Sequence, residues 1–222
     1  MEKVIEQISQ WDYIKHLPKE LYGFKLAYEM NTIGDIYFIF SYENKEKHRK
    51  MSVYYHAETK EYKVRTQIGL TEFCNIDFIT AKLEEFEELL KLRFDHAVKS
   101  IAIFDVENLD SIVVDKKILT WKYIDKLPKT IEGFTLFVQP TEPVRCINGS
   151  YIVFDYCDFV NESNFIIYYN IFRDEFFGDA RINQIPEMTY TFDSRELVDL
   201  EDKLDAHLIE RLKEIRSRIR GK

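Results

Sequence analysis

The sequence predicts an α+β protein in which one module of about 110 residues is written twice, as residues 1–110 and 111–222. Three observations carry that expectation: a long internal repeat, strands whose apolar residues run without interruption, and a matched apolar stripe of helical spacing closing each copy.

The repeat is plainest near the start of each copy. Residues 11–26 read WDYIKHLPKELYGFKL and residues 121–136 read WKYIDKLPKTIEGFTL, with nine of sixteen positions identical. The matches use both tryptophans, two of the seven glycines and two of the five prolines, residue types too scarce to coincide by chance. Further on, Tyr54-Tyr55 answers Tyr168-Tyr169, and Phe78 to Leu83 answers Phe192 to Leu197. The second copy carries a few extra residues between Gln139 and Cys146, a loop with two prolines.

Each copy opens with an expected short amphipathic helix. In the first, Val4, Ile5, Ile8, Trp11 and Ile14 recur at three- and four-residue spacing, and Pro18 stops the run. In the second, Asp115 is the expected N-cap, Ile118, Trp121 and Ile124 form the stripe, and Pro128 ends it. Gly23 and Gly133 then open a strand with Phe24, Leu26 and Tyr28, or Phe134, Leu136 and Val138, facing inward.

Three more strands are expected at 35–43, 51–58 and 61–68, with counterparts at 150–157, 164–172 and 175–182. The middle pairs are apolar at successive positions, so both of their faces should be covered. A long helix closes each copy, with Thr80 and Ser194 as expected N-caps. Its stripe Leu83, Phe86, Leu90, Phe94, Val98, Ile101 matches Leu197, Leu200, Leu204, Leu208, Leu212, Ile215, as in a helix lying along a sheet. The expected order is α-β4-α twice, with antiparallel sheets and a long helix packed on one face per copy. One continuous sheet about a pseudo-twofold axis is compatible with that order, which resembles in topology the TATA-box-binding-like and helix-grip folds.

Composition narrows the function. The net charge of −8 belongs to a chain with 45% hydrophobic and 32% charged residues, the range of a soluble globular protein. An acidic body repels nucleic acid and anionic lipid and attracts basic partners. From Arg211 onward, however, six cations (Arg211, Lys213, Arg216, Arg218, Arg220, Lys222) face only Glu214. Cations complement the C-terminal end of a helix, and no aromatics are interleaved for base stacking, so nucleic-acid binding is not expected there. The N-terminus lacks a secretory apolar run, and no stretch approaches the ~18 apolar residues of a membrane span. Three cysteines, an odd number without CxxC spacing, read as reduced thiols, which makes the cytoplasm the expected compartment.

No phosphate-binding loop, HExxH, GxSxG or EF-hand motif occurs, and the five histidines are dispersed. No catalytic set, metal or cofactor is therefore expected. His56, beside Tyr54 and Tyr55, is placed to line a cavity if one exists. Two surfaces are candidates for binding a partner. One is the acidic helix face of Glu84, Glu85 and Glu88, the densest charge cluster; the other is Arg145 in the inserted loop, where the copies differ. The leading expectation is a non-enzymatic protein-binding module, of the interaction or immunity/antitoxin-like kind, that docks a basic protein. The alternatives are a small-molecule binder or enzyme with a pocket between sheet and helix, and nucleic-acid binding through the basic C-terminal helix.

Overall fold

The computed structural model describes residues 1–220 and divides into two compact units, Met1–Ile103 and Phe104–Lys222. Both are α+β. Each unit has its own antiparallel sheet, six-stranded in the first and seven-stranded in the second, so the halves do not share one sheet.

The first unit begins with α1 (Glu2–Ser9), which ends well before Pro18 because the chain becomes extended at Trp11 (φ −72°, ψ 109°) and then forms a 3₁₀ turn at Asp12–His16. Six strands follow in sequential order: β1 (Glu20–Leu21), β2 (Phe24–Ile33), β3 (Ile36–Asn44), β4 (Arg49–His56), β5 (Glu61–Ile68) and β6 (Thr71–Thr80). The closing helix runs as α2 (Leu83–Leu89), a π-helical turn (Leu90–Phe94) and α3 (Asp95–Ala102). Its stripe of Leu83, Phe86, Leu90, Phe94, Val98 and Ile101 is buried throughout. Phe94 meets Phe40 and Tyr42 at ring-centroid distances of 5.9 and 5.7 Å, and Phe86 stacks on Tyr62 at 5.4 Å. Each such buried side chain contributes about 1.5–3 kcal/mol, so this aromatic layer is the main source of the unit's stability.

Trp11 fastens the entrance segment to that helix. Its Nε1 donates to Glu87 Oε2 at 2.6 Å, and its ring stacks on Tyr13 at 5.2 Å. Trp11→Phe keeps most of the burial and removes the hydrogen bond, so urea denaturation should show a loss of about 1 kcal/mol.

The second unit contains α4 (Ser111–Asp115), β7 (Thr130–Ile131), β8 (Phe134–Val138), β9 (Val144–Arg145), β10 (Ser150–Asp158), β11 (Ser163–Asn170), β12 (Glu175–Ile182), β13 (Ile185–Ser194) and α5 (Leu197–Arg220). The strands run β13-β12-β11-β10-β8-β7, with β9 paired to the start of β10. α5 lies along β11, β12 and β13, burying Leu200, Leu204, Leu208, Leu212 and Ile215, while Leu197 is partly covered.

The four strands expected per copy fall short of those present. The long strands β6 and β13 were hidden because each breaks its own alternation. Between its pairings with Val64 and Tyr62, β6 runs from Asn75 to Thr80, so four residues stand opposite one. This wide bulge turns Phe78 into the core and leaves Ile76 exposed. β13 repeats the device from Thr189 to Ser194, with Phe192 buried and Tyr190 exposed.

The helix caps also differ from expectation. Thr80 and Ser194 are the last residues of β6 and β13, and Lys82 occupies the N-cap of α2. Asp115 ends α4 instead of opening a helix, since Lys117 adopts a left-handed conformation (φ 59°) that separates α4 from the 3₁₀ turns at Ile118–Thr120 and Lys122–Lys126. Among the described residues, no helix is long and apolar enough to cross a membrane.

Candidate functional site

The second sheet has two unlike faces. Phe154, Tyr156, Phe165, Ile167, Tyr169 and Phe176 belong to the core that α5 covers. Because side chains alternate along a strand and directly paired residues share a face, the intervening positions form rows on the opposite side. One row runs Asp155, Ile166, Asp179, Met188 from β10 to β13. The next runs Cys157, Asn164, Arg181, Pro186.

Exposure rises steeply along these rows. Asp155 and Asn164 are 0% exposed, whereas Met188 at the sheet edge is 71% exposed. At the closed end, Asn164 Nδ2 donates to both oxygens of Asp155, at 3.1 and 3.3 Å. Burial pushes the Asp155 carboxyl up to about 7, against weaker downward pulls from Cys157, Asn164 and Arg181. Burial raises Asp179 as well. A carboxyl so enclosed cannot reach a substrate, and what it can do is hold a proton inside the sheet.

The open end is the edge strand β13. Ile185, Met188 and Tyr190 are 63%, 71% and 75% exposed. Glu187, paired with Ala180 on the α5 side, is bonded by Arg211 Nη2 at 3.2 Å and Arg218 Nη1 at 2.6 Å. α5 therefore grips the strand from one side and leaves Met188 and Tyr190 facing out, while Ile185, paired with the core residue Ile182, is exposed on the α5 side.

The basic C-terminus is largely spent on such contacts. Arg216 is buried: its Nη1 donates to Asp158 Oδ2 at 2.6 Å, its Nε to Glu132 O at 2.7 Å, and its guanidinium lies 4.5 Å from the Phe134 ring centroid. Lys213 pairs with Glu210 at 3.0 Å. The side chain of Arg220, and Lys222, lie outside the described residues.

The residues nominated from sequence lie at the surface. Glu84 and Glu88 are exposed on α2 and take no ion pair among the described residues. Glu85 accepts from Thr80 at 2.9 Å and Lys82 at 2.5 Å, which hold its carboxyl below the ordinary range. Glu87, on the same helix, is engaged by Lys91 and Trp11. Arg145 is an exposed residue of β9, 3.5 Å from Asp110 Oδ2, itself bonded by Tyr151 OH at 2.8 Å. His56 Nδ1 accepts from Thr59 N at 3.3 Å, closing the β4–β5 turn.

A shallow depression in the first unit is lined by Glu43, Lys45, His48, Arg49, Lys50 and Gln67. Two of its cations already have work in the fold: Arg49 donates to Ile101 O, and Lys50 pairs with Glu29 at 2.8 Å. Among the described residues, no three His, Cys, Asp or Glu side chains converge as a metal site.

Sequence reasoning missed Asp155, Asn164, Met188 and Tyr190. Asp155 had a signal, as the one carboxylate in the run Tyr151-Ile-Val-Phe-Asp-Tyr-Cys157. No family model, no curated protein and no solved structure matches this chain.

Proposed function

We propose that the chain is a non-enzymatic protein-docking module that presents the edge strand β13 to a partner. One observation carries this reading: Met188 and Tyr190 are held exposed on an edge strand that Arg211 and Arg218 clamp through Glu187 on its other side. Edge strands offer unpaired backbone groups, which proteins blunt with charge, proline or bulges; β13 has Pro186 and its wide bulge but no outward charge between them. β13 instead carries apolar side chains outward, and its Glu187 is turned toward α5 and neutralised. The register with β12 is regular from Ile185 to Thr189, long enough for an extended segment to add alongside.

A basic partner suits the net charge of −8 and the unpaired Glu84 and Glu88. Its association should slow as salt rises, because exposed charges more than ~10 Å apart are screened at 0.1 M. The cytoplasm suits three thiols that form no disulfide.

The chain reads as two copies of one ancestral module, residues 1–110 and 111–222. Repeated hydrogen bonds support this. Trp121 Nε1 donates to Glu201 at 2.7 Å as Trp11 does to Glu87, and Tyr156 OH donates to Pro128 O at 2.7 Å as Tyr42 OH does to Pro18 O at 2.6 Å. Trp121 stacks on Tyr123 at 5.2 Å, the distance of the Trp11–Tyr13 pair.

The test compares the native chain with Met188→Asp/Tyr190→Asp, each recovered gently from its own host cells and weighed by native mass spectrometry. Both substituted positions are exposed, so the melting temperature should not move. A polypeptide held by the native chain and lost from the double variant is the expected result. A polypeptide retained equally by both would remove β13 from the interface.

A further inference from the structure

We infer that Asp155 is held as a neutral carboxylic acid whose proton completes the buried Asn164 amide, so that the outer face of β10 and β11 is a proton-controlled latch. The inference rests on hydrogen-bond accounting at a site sealed from water. Both side chains are 0% exposed. Asn164 Nδ2 reaches both Asp155 oxygens, at 3.1 and 3.3 Å, while Asn164 Oδ1 has no donor.

A buried carbonyl oxygen without a donor is costly, and native interiors seldom leave one. A small rotation of the amide brings Oδ1 opposite one carboxyl oxygen. Were the carboxyl ionised, those two oxygens would repel. With a proton on Asp155, one O–H donates to Asn164 Oδ1 while Nδ2 donates to the other oxygen, and acid and amide satisfy each other.

The remaining groups around Asp155 do not supply a full counter-charge. On its own strand the Cys157 thiol hydrogen-bonds the carboxyl and pulls it down, as does the Asn164 amide, and on β12 the cation is Arg181, which acts through space. On β8 its register partner is Val138. Asp179 lies one strand beyond Ile166 in the same row and is itself raised by burial. Desolvation outweighs these hydrogen bonds and the cation together, and it pushes Asp155 up to about 7.

The sign of the linkage follows. A carboxyl with a raised folded pKa binds its proton more tightly in the folded state, so stability falls with pH between the ordinary Asp value of ~3.9 and the folded value. That window ends near neutrality, where a small change in pH releases the latch.

Carboxyl ¹³C NMR of the unmodified protein tests the protonation state directly. Asp155 should titrate near neutrality, far above the exposed aspartates. In parallel, the urea midpoint should fall from pH 5 to pH 7.5 in the native chain, and Asp155→Asn should flatten that slope. An Asp155 carboxyl already ionised at pH 5 would overturn the inference, and so would a folded Asp155→Asn that keeps the native slope. If the variant fails to fold, the NMR titration of the native chain decides alone.

Discussion

Replacing Arg216 by methionine should destabilise the protein by about 3–5 kcal/mol, the largest loss expected from any single polar side chain in the chain. Arg216 and Asp158 have side chains only 10% and 8% exposed, and they meet at 2.6 Å. The same guanidinium also satisfies Glu132 O and lies over the Phe134 ring. Methionine would keep much of the packing and leave Asp158 as an enclosed anion. Burial pushes the Asp158 carboxyl up, but hydrogen bonds from Asn161 and Arg216 overcome it and hold the group below the ordinary range. That depressed value means a contribution present above pH ~4 and lost as pH falls through the folded pKa. Arg216→Met should therefore cost most near neutral pH and least in acid. Adding Asp158→Asn should recover part of the loss, since it removes the stranded charge. Urea denaturation of the single and double variants at pH 7 and pH 3.5 would measure both effects.

Gly133→Ala should cost about 2–4 kcal/mol, and the matched Gly23→Ala about 1–2 kcal/mol. Both glycines have φ of +82°, so both substitutions carry the same left-handed strain. They differ in what a Cβ would meet. At Gly23 the nearest atom is Asn44 Nδ2 at 3.5 Å, an ordinary contact. At Gly133 it is Arg216 Nη2 at 2.8 Å, closer than Cβ atoms tolerate, so the guanidinium, held by Asp158 and Glu132, must shift. The difference between the two costs reports the Arg216 contact alone. Once Arg216 is methionine, the excess at Gly133 should largely vanish, because the two changes act on one contact. Equal costs at the two glycines would show that Arg216 moves aside freely.

Much of this fold is legible in the sequence because strong local rules agree there. The stripes at Leu83–Ile101 and Leu197–Ile215 have no competing reading at their length, and the apolar runs in β3, β4, β10 and β11 match strands with little or no exposure. The edges are another matter. β6 and β13 place four residues opposite one, so their sequences show neither clean alternation nor helical spacing. The caps fail for a related reason: Thr80 and Ser194 still belong to those bulged strands, and each helix starts a few residues later.

The candidate site was less legible than the fold. Glu84, Glu85 and Glu88 stand out by charge, yet Lys82 and Thr80 already hold Glu85. The basic tail invites a nucleic-acid reading by charge alone, and the sequence does not show that Arg211, Arg216 and Arg218 bond Glu187 and Asp158. Met188 and Tyr190 look like core residues to any hydropathy rule. Only their place on an edge strand makes them a surface.

Hydrogen–deuterium exchange of the chain, alone and with the partner it carries from its host cells, tests the docking account most directly. The account predicts slowed exchange at the amides of Ile185 and residues 187–190 in the complex, with the rest of the second sheet unchanged. Protection confined to α2 around Glu84 and Glu88, with those amides exchanging as freely as in the isolated chain, would contradict it.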